Sequence, residues 1–213
     1  MTNVKGAIFD CDGTLLDSMP MWVRLETEYL LCQGLTPRPG FIDAVRPLST
    51  IEAAEYFRVE FNLPKSTEQI VAERNKMVEA YYFNKATLKD GVLHTLESLR
   101  GRGVKMCVAT ATDKYLVEEG LKRCGILKYF ERIFTCSEEN TSKSSPDIFI
   151  RAAAYLGTDI RDTLVFEDAL HAIKSAKNAG FQVAAIYDPS EEGNQEEIKR
   201  LCDYYCRETV AVY

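Results

Sequence analysis

Two aspartates separated by one residue, Asp10 and Asp12, directly follow a short apolar run at positions 7–9. Gly13 comes next, and glycine permits a sharp backbone turn that other residues resist. A carboxylate can attack phosphorus as a nucleophile, and a second carboxylate nearby can give and take a proton. The segment "AIFDCDGTLLDS" at 7–18 therefore predicts a buried strand that delivers a pair of acids suited to phosphoryl transfer.

Other polar residues stand at the ends of later apolar runs or in the loops beside them. They are Thr110, Lys143, Glu167 and Asp168. In an open α/β sheet, ligands bind beyond the carboxyl ends of the strands, so these side chains are predicted to meet at one edge. Several carboxylates crowded there repel one another unless a cation is present. Because Mg²⁺ binds one or two carboxylates together with waters and phosphate oxygens, the pattern predicts a magnesium and phosphate site.

Each of these residues also has a purely structural explanation. An Asp–Gly pair is common in turns, and Asp168 could cap the helix that follows it. Thr110 suits the interior of a strand, and Lys143 could be an ordinary solvated lysine. The chemical interpretation therefore depends on the residues occurring together, at positions that one fold can bring to the same place.

The elements that must position these residues change character twice along the chain. Residues 4–9 form a short apolar run, and residues 88–213 alternate such runs with helical segments, which is typical of a parallel sheet covered by helices. Between them lie helical patterns only, including the capping box "STEQ" at 66–69. We therefore predict an α/β fold: a Rossmann-like parallel-sheet core of residues 1–16 and 88–213, with an inserted α-helical bundle, a cap domain, at 17–87.

The composition argues against several classes of protein. With 26 basic and 32 acidic residues and a net charge of −6, the chain lacks the basic surface typical of nucleic-acid binding. It shows neither an apolar stretch of about 18 residues nor a signal-peptide pattern, so we predict no membrane span and a cytoplasmic location. Its seven cysteines, an odd number at loose spacing, predict free thiols. Cys202 and Cys206 are predicted to share a helix, and without a second pair they do not indicate a zinc site.

Four segments, in this order along the chain, resemble the four signatures of the haloacid dehalogenase-like superfamily. They are "FDCDGTLLDS", "VATAT", "SKSSPDIF" and "VFEDALHAIKSAKNAG". The long helical insert after the first segment resembles the α-helical cap of the phosphoglycolate phosphatase and β-phosphoglucomutase branch. The third segment departs from the family because Ser144 stands where proline is usual, and we expect a changed loop rather than a lost function.

The resemblance implies a Mg²⁺-dependent phosphatase in which Asp10 is the nucleophile and forms an aspartyl-phosphate. Asp12 would be the general acid and base, with its backbone carbonyl on the metal. The implied metal site consists of Asp10, Asp12, Glu167 and Asp168. The implied phosphate site consists of Gly13, Thr110, Ala111 and Lys143.

The resemblance also implies a small phosphorylated metabolite as substrate, with sugar phosphates as the first choice. Arg46 lies in the turn "VRPLSTIE", where relatives place substrate-reading residues, and it could equally bind a second anionic group or be a surface arginine. The cap is expected to open and close about hinges near residues 16–18 and 87–91. We expect a monomer or a weak homodimer.

Two other functions stay open. A phosphomutase on the same scaffold would return the phosphoryl group to another hydroxyl, but segment 17–22 lacks the histidine that some relatives carry early in the cap. A non-enzymatic phospho-switch resembling a response-regulator receiver would also use acids, a threonine and a lysine on a parallel sheet. Such a switch would lack the helical insert and would not carry its phosphate acceptor on the first strand. A dehalogenase is disfavoured because Asp12 suits protonation of an oxygen leaving group.

Overall fold

The computed structural model describes residues 4–45, 48 and 50–207. The chain divides into two compact units. The first, called the α/β unit here, comprises the residues up to Met19 and those from Ala86 onward. The second, called the helical unit, is Pro20–Lys85 and lies just inside the predicted range 17–87.

The helical unit packs buried aromatic and aliphatic side chains between its helices, among them Tyr29, Phe57 and Ile70. The predicted capping box is confirmed, because Ser66 Oγ accepts from the N–H of Gln69 at 3.3 Å and Gln69 Oε1 accepts from the N–H of Ser66 at 2.9 Å. The helices of this part of the chain are α1 (Met19–Cys32), α2 (Phe41–Val45), α3 (Thr50–Glu60) and α4 (Thr67–Asn84).

One buried position of α4 departs from the apolar pattern of a helix face. Arg74 is only 5% exposed. Its guanidinium donates to Glu26 and, at 3.0 Å, to the carbonyl of Thr50. The same group lies over the ring of Phe57, 5.4 Å from the ring centroid. These partners account for a charged side chain inside a helical bundle.

The α/β unit is built on a six-stranded parallel sheet with the order β3–β2–β1–β4–β5–β6. The strands are β1 (Gly6–Phe9), β2 (Lys105–Thr110), β3 (Ile133–Thr135), β4 (Thr163–Glu167), β5 (Gln182–Ile186) and β6 (Tyr204–Cys206). The register places Phe9 of β1 between Val108 of β2 and Phe166 of β4. The predicted parallel-sheet α/β fold is confirmed, with β1 in the interior of the sheet.

Helices flank this sheet and bury its apolar side chains. They are α5 (Val92–Gly101), α6 (Lys114–Arg123), α7 (Asp147–Leu156), α8 (Leu170–Asn178) and α9 (Gln195–Leu201). Helix α7 packs against β1, β2 and β3, and α8 packs against β4 and β5. Phe149 of α7 and Ile173 of α8 meet Ile8 and Val165 of the sheet in one core.

Over the part of the chain that is described, no helix is both long and apolar enough to span a lipid bilayer.

The predicted helix through Cys202 and Cys206 is wrong. Helix α9 ends at Leu201, and Cys206 lies in β6, where it pairs with Ile186 of β5. The edge of β5 offers backbone groups that a further strand can satisfy, and the Tyr–Tyr–Cys run of β6 suits a strand. Both cysteines are partly buried free thiols.

The chain leaves the α/β unit and returns to it through two segments that lie side by side. Leu16 and Leu88 form an antiparallel bridge. The N–H of Asp17 donates to the carbonyl of Thr87 at 2.9 Å. These contacts tie together the two segments that the sequence predicts as hinges.

Candidate active site

The loop after β1 carries Asp10 and Asp12 at the carboxyl ends of the strands, next to the end of β4. The N–H of Asp10 donates to the carbonyl of Phe166 at 2.9 Å, and the Asp10 residue is only 5% exposed. Gly13 turns the loop with a φ of 84°. A Cβ atom at this position would lie 2.4 Å from Oδ2 of Asp168. Only glycine therefore lets the loop approach the end of β4 this closely.

The ends of β1 and β4 and the loop before α7 bring four of the predicted site residues together. Lys143 Nζ donates to Oδ1 of Asp10 and, at 2.6 Å, to Oε1 of Glu167. Carboxylate oxygens of Asp10, Glu167 and Asp168 lie within 4.8 Å of one another. All four residues are buried. We call Asp10, Lys143, Glu167 and Asp168 the acid cluster.

The acid cluster is short of positive charge. Burial, followed by the nearby carboxylates of Glu167 and Asp10, raises the pKa of Asp168 well above its ordinary value. Burial also raises the pKa of Asp10 to about 7, although the ammonium of Lys143 opposes the rise. Burial disfavours the charge on Lys143, yet the carboxylates beside it raise its pKa. One ammonium does not balance these acids, and a further cation would.

Two members of the acid cluster are held by additional hydrogen bonds. Oε2 of Glu167 accepts from the N–H of Asp168 at 2.8 Å and from the N–H of Ala169 at 2.9 Å. These N–H groups lie at the start of α8, where a negative charge is favoured. Oδ1 of Asp168 accepts from the hydroxyl of Thr14 at 3.1 Å. Both oxygens of Glu167 are thus engaged, so Asp10 and Asp168 are the better placed metal ligands.

The donor set of the acid cluster fits a hard divalent cation. The three residues that could hold a metal ion each offer a carboxylate oxygen, the ligand type that Mg²⁺ prefers. Burial and the neighbouring carboxylates raise the pKa values of Asp10 and Asp168, and a bound cation would offset the same excess of negative charge. The cluster is therefore chemically suited to Mg²⁺.

Asp12 is held by hydroxyl groups from two different segments. Ser18 Oγ donates to Oδ1 of Asp12 at 2.5 Å, and Thr112 Oγ1 donates to Oδ2 at 2.7 Å. The N–H of Thr112 in turn donates to Oγ1 of Thr110 at 3.1 Å. Thr110 lies buried at the end of β2, beside the loop that carries Asp12, and Ala111 next to it is exposed.

Arg46 lies outside the described residues, so its place as a candidate substrate contact stays a prediction.

Three hydroxyl residues that the sequence analysis did not single out contact the predicted acids: Thr14, Ser18 and Thr112. Each stands within a few positions of a predicted site residue, which is a usable signal. Because Ser and Thr are common in turns and helix caps for local reasons, that signal alone does not identify them.

Comparison with known proteins places this site in a family. The family model described as haloacid dehalogenase-like hydrolase matches residues 7–186. The chain belongs to this family. It is 25% identical over 185 residues to Pyrophosphatase PpaX from Halalkalibacterium halodurans. The matched region covers 86% of this chain and 83% of that protein. It is 27% identical over 198 residues to hexitol phosphatase A from Escherichia coli. That match covers 91% of this chain and 88% of the relative.

The fold is also shared with solved structures. A β-phosphoglucomutase from Clostridium difficile superposes with a TM-score of 0.70 at 16% sequence identity, over 97% of this chain and 92% of that one. At this identity the likeness concerns the fold. Membership of the hydrolase family makes the chain an enzyme and disfavours the phospho-switch.

Proposed function

We propose that this enzyme is a Mg²⁺-dependent phosphatase that hydrolyses small phosphorylated metabolites through an aspartyl-phosphate on Asp10. The observation that carries the proposal is the acid cluster, in which a buried carboxylate contacts a lysine beside two further acids. The names of two relatives, a pyrophosphatase and a hexitol phosphatase, support the same class of reaction.

In the first step, a carboxylate oxygen of Asp10 attacks the phosphorus atom of the ester. The bond between phosphorus and the leaving oxygen breaks, and an acyl phosphate forms on Asp10. Nucleophile and phosphate are both negative, so positive charge must offset their repulsion. Lys143, which already donates to Asp10, is placed to donate to a phosphoryl oxygen as well. Thr110 and the backbone at Gly13 and Ala111 would hold the remaining oxygens.

Asp12 would move the protons of both steps. As the ester bond breaks, protonated Asp12 gives its proton to the leaving alkoxide, which departs as an alcohol. Asp12, now a carboxylate, takes a proton from the water that attacks the phosphorus of the aspartyl-phosphate. The bond from phosphorus to Asp10 then breaks, inorganic phosphate is released and the Asp10 carboxylate is restored.

Asp10 and Asp168 would hold Mg²⁺ through their side chains, together with the backbone carbonyl of Asp12. Glu167 would lie beside the ion and keep Lys143 in place. When bound, Mg²⁺ supplies the positive charge that neutralises the phosphate and the nucleophile. The negative charge of the acid cluster supports this assignment, because a buried carboxylate group needs such a partner.

The helical unit would act as the cap that closes the site and selects the substrate. Its insertion directly after the loop of the nucleophile, between the paired segments at Leu16 and Leu88, supports this role. Phosphorylated sugars and polyols are the first substrate class to test, because one relative is a hexitol phosphatase. Arg46 is the candidate for a second anionic group of the substrate.

The test measures release of inorganic phosphate from phosphorylated sugars, polyols, glycolate and nucleotides, with Mg²⁺ and with a chelator. Asp10→Asn removes the nucleophile with little change in size and should slow turnover about 10³-fold or more. Asp162→Asn is the matched control, because Asp162 also pairs with a lysine, Lys5, at 2.7 Å. Asp162 stands just before β4 begins, so it lies at the amino ends of the strands, whereas the acid cluster lies at their carboxyl ends. Equal turnover in the Asp10→Asn variant and the unchanged chain would overturn the mechanism.

A phosphomutase is the second candidate, because the fold is shared with a β-phosphoglucomutase. It would form the same aspartyl-phosphate but return the phosphoryl group to a sugar hydroxyl instead of water. Incubation with a sugar 1-phosphate and a sugar bisphosphate separates the two. Isomerised sugar phosphate appearing faster than free phosphate would replace the phosphatase proposal with the mutase.

A further inference from the structure

Asp12 is anchored through both of its carboxylate oxygens. Ser18 lies in the same loop, whereas Thr112 comes from the loop after β2. A carboxylate held at both oxygens cannot turn about its Cβ–Cγ bond without losing a hydrogen bond, so the two hydroxyls together set the plane of the group.

Thr112 is itself fixed in place. Its N–H donates to the hydroxyl oxygen of Thr110, which is 1% exposed at the end of β2. Strand β2 pairs directly with β1, so the loops that carry Thr112 and Asp12 start from neighbouring strands of the sheet. One chain of hydrogen bonds thus runs from Thr110 through Thr112 to Asp12.

We propose that Thr112 is a positioning residue that aims Asp12 at the oxygen of the leaving group, an inference that rests on the proposed phosphatase function. Each carboxylate oxygen has lone pairs at two sites, and each hydroxyl contact takes one of them. Because the hydroxyl contacts fix the plane of the carboxylate, they also fix the directions in which its lone pairs can hold the proton that Asp12 transfers. Thr112 does not contact the reacting atoms and acts through Asp12.

Loss of this contact should matter only where the leaving group needs a proton. An alkyl phosphate must release an alkoxide, which is strongly basic, whereas p-nitrophenyl phosphate releases a stabilised phenolate. The ratio kcat/KM covers the steps up to cleavage of the ester bond. It therefore leaves out the hydrolysis of the aspartyl-phosphate, in which Asp12 acts as a base whatever the substrate.

The experiment compares kcat/KM for p-nitrophenyl phosphate with kcat/KM for the alkyl phosphate, such as sorbitol 6-phosphate, that the unchanged chain hydrolyses fastest. Thr112→Val removes the hydroxyl while keeping the shape of the side chain. We expect a fall of about 10- to 100-fold for the alkyl ester and of about threefold or less for the aryl ester. Thr112→Ser keeps a hydroxyl and should stay within about threefold of the unchanged chain for both esters.

A matched control comes from the helical unit. Thr67 Oγ1 also donates to a carboxylate, Oε2 of Glu55, at 2.6 Å, and Thr67→Val should change neither ester. Equal losses for both esters in Thr112→Val would overturn the inference and leave the phosphatase in place. The inference is also overturned if Thr112→Ser is as slow as Thr112→Val on the alkyl ester. If the unchanged chain hydrolyses no alkyl phosphate, the proposed function fails, and the inference fails with it.

Discussion

Lys143 and Lys89 of the α/β unit contact buried carboxylates in different settings. In the acid cluster, Lys143 contacts two carboxylates and a third lies nearby. At the end of β5, Lys89 contacts one carboxylate, Asp188, at 2.7 Å, and the carbonyl of Tyr187 at 2.8 Å. Ser190 donates its N–H and its hydroxyl to the other oxygen of Asp188, at 2.9 Å and 2.7 Å. One site has an excess of negative charge, and the other is balanced.

This difference in charge balance distinguishes a structural ion pair, Lys89 with Asp188, from the acid cluster, whose excess negative charge suits a bound cation. In a balanced pair, attraction and hydrogen bonds offset the free energy that burying two charges costs. An excess of buried carboxylates keeps part of that cost until a proton or a cation arrives. Strongly shifted pKa values of this kind are concentrated at functional sites.

Removing the lysine of the acid cluster should have the largest effect. Lys143→Met leaves no ammonium to offset the repulsion between Asp10 and the phosphate, so we expect kcat to fall about 10³-fold. Phosphate release at saturating substrate measures this fall. Lys89→Met is the comparison and should lower kcat far less for each folded molecule, because Lys89 contacts Asp188 and neither Asp10 nor Glu167. A similar fall in both variants would erase the distinction between the two sites.

Removing the lysine of the balanced pair, Lys89 with Asp188, should lower the free energy of unfolding. Lys89→Met leaves Asp188, which is 1% exposed, without its cation, and should lower the free energy of unfolding by roughly 3 kcal/mol. Unfolding in urea measures the change. Lys5→Met, which removes an exposed partner of Asp162, serves as the comparison and should change the free energy of unfolding far less. If both variants lose the same small amount, the buried pair contributes no more than a surface one.

Protons and Mg²⁺ should compete at the acid cluster. The pKa of Asp10 is about 7 in the folded chain and 3.8 for an unperturbed aspartate, so the folded chain holds more protons between these values. The free energy of unfolding of the metal-free chain therefore falls as pH rises through this window. From pH 5 to pH 8, Asp10 contributes a fall of roughly 2 to 3 kcal/mol.

Thermal unfolding with a chelator measures this fall, and saturating Mg²⁺ should remove most of it. The stabilisation by Mg²⁺ is then larger at pH 8 than at pH 5. Asp10→Asn is the control, because its amide does not titrate and its melting temperature should fall less with pH. A metal-free chain that becomes more stable between pH 5 and pH 7 would contradict the charge excess of the acid cluster.

The acids at the strand ends could be predicted from the sequence because their positions are marked locally. Asp10 and Glu167 each end an apolar run, and parallel strands bring such ends to one edge of a sheet. The same alternation of apolar runs and helical segments predicted the parallel sheet. It did not predict β6, whose three residues depend on the open edge of β5.

Contacts made by residues outside such patterns could not be predicted in this way. Lys89 and Asp188 lie in loops far apart in the sequence, and their pairing depends on how the returning chain meets the end of β5. Arg74 lies on the buried face of α4, where an apolar side chain is usual, and its contacts with Glu26, Thr50 and Phe57 explain its burial. The hydroxyl of Thr112 reaches Asp12 only because β2 and β1 are neighbours.

The interior place of β1 has a consequence for the order in which the chain folds. During synthesis β1 is made before its neighbours β2 and β4, which follow only after the whole helical unit. Contacts between distant residues form late because the connecting chain must first be ordered, whereas α3 and α4 find each other locally. We expect amide protection during refolding to appear in α4 before β1, so a half-folded chain would hold the bundle without a working pair of acids.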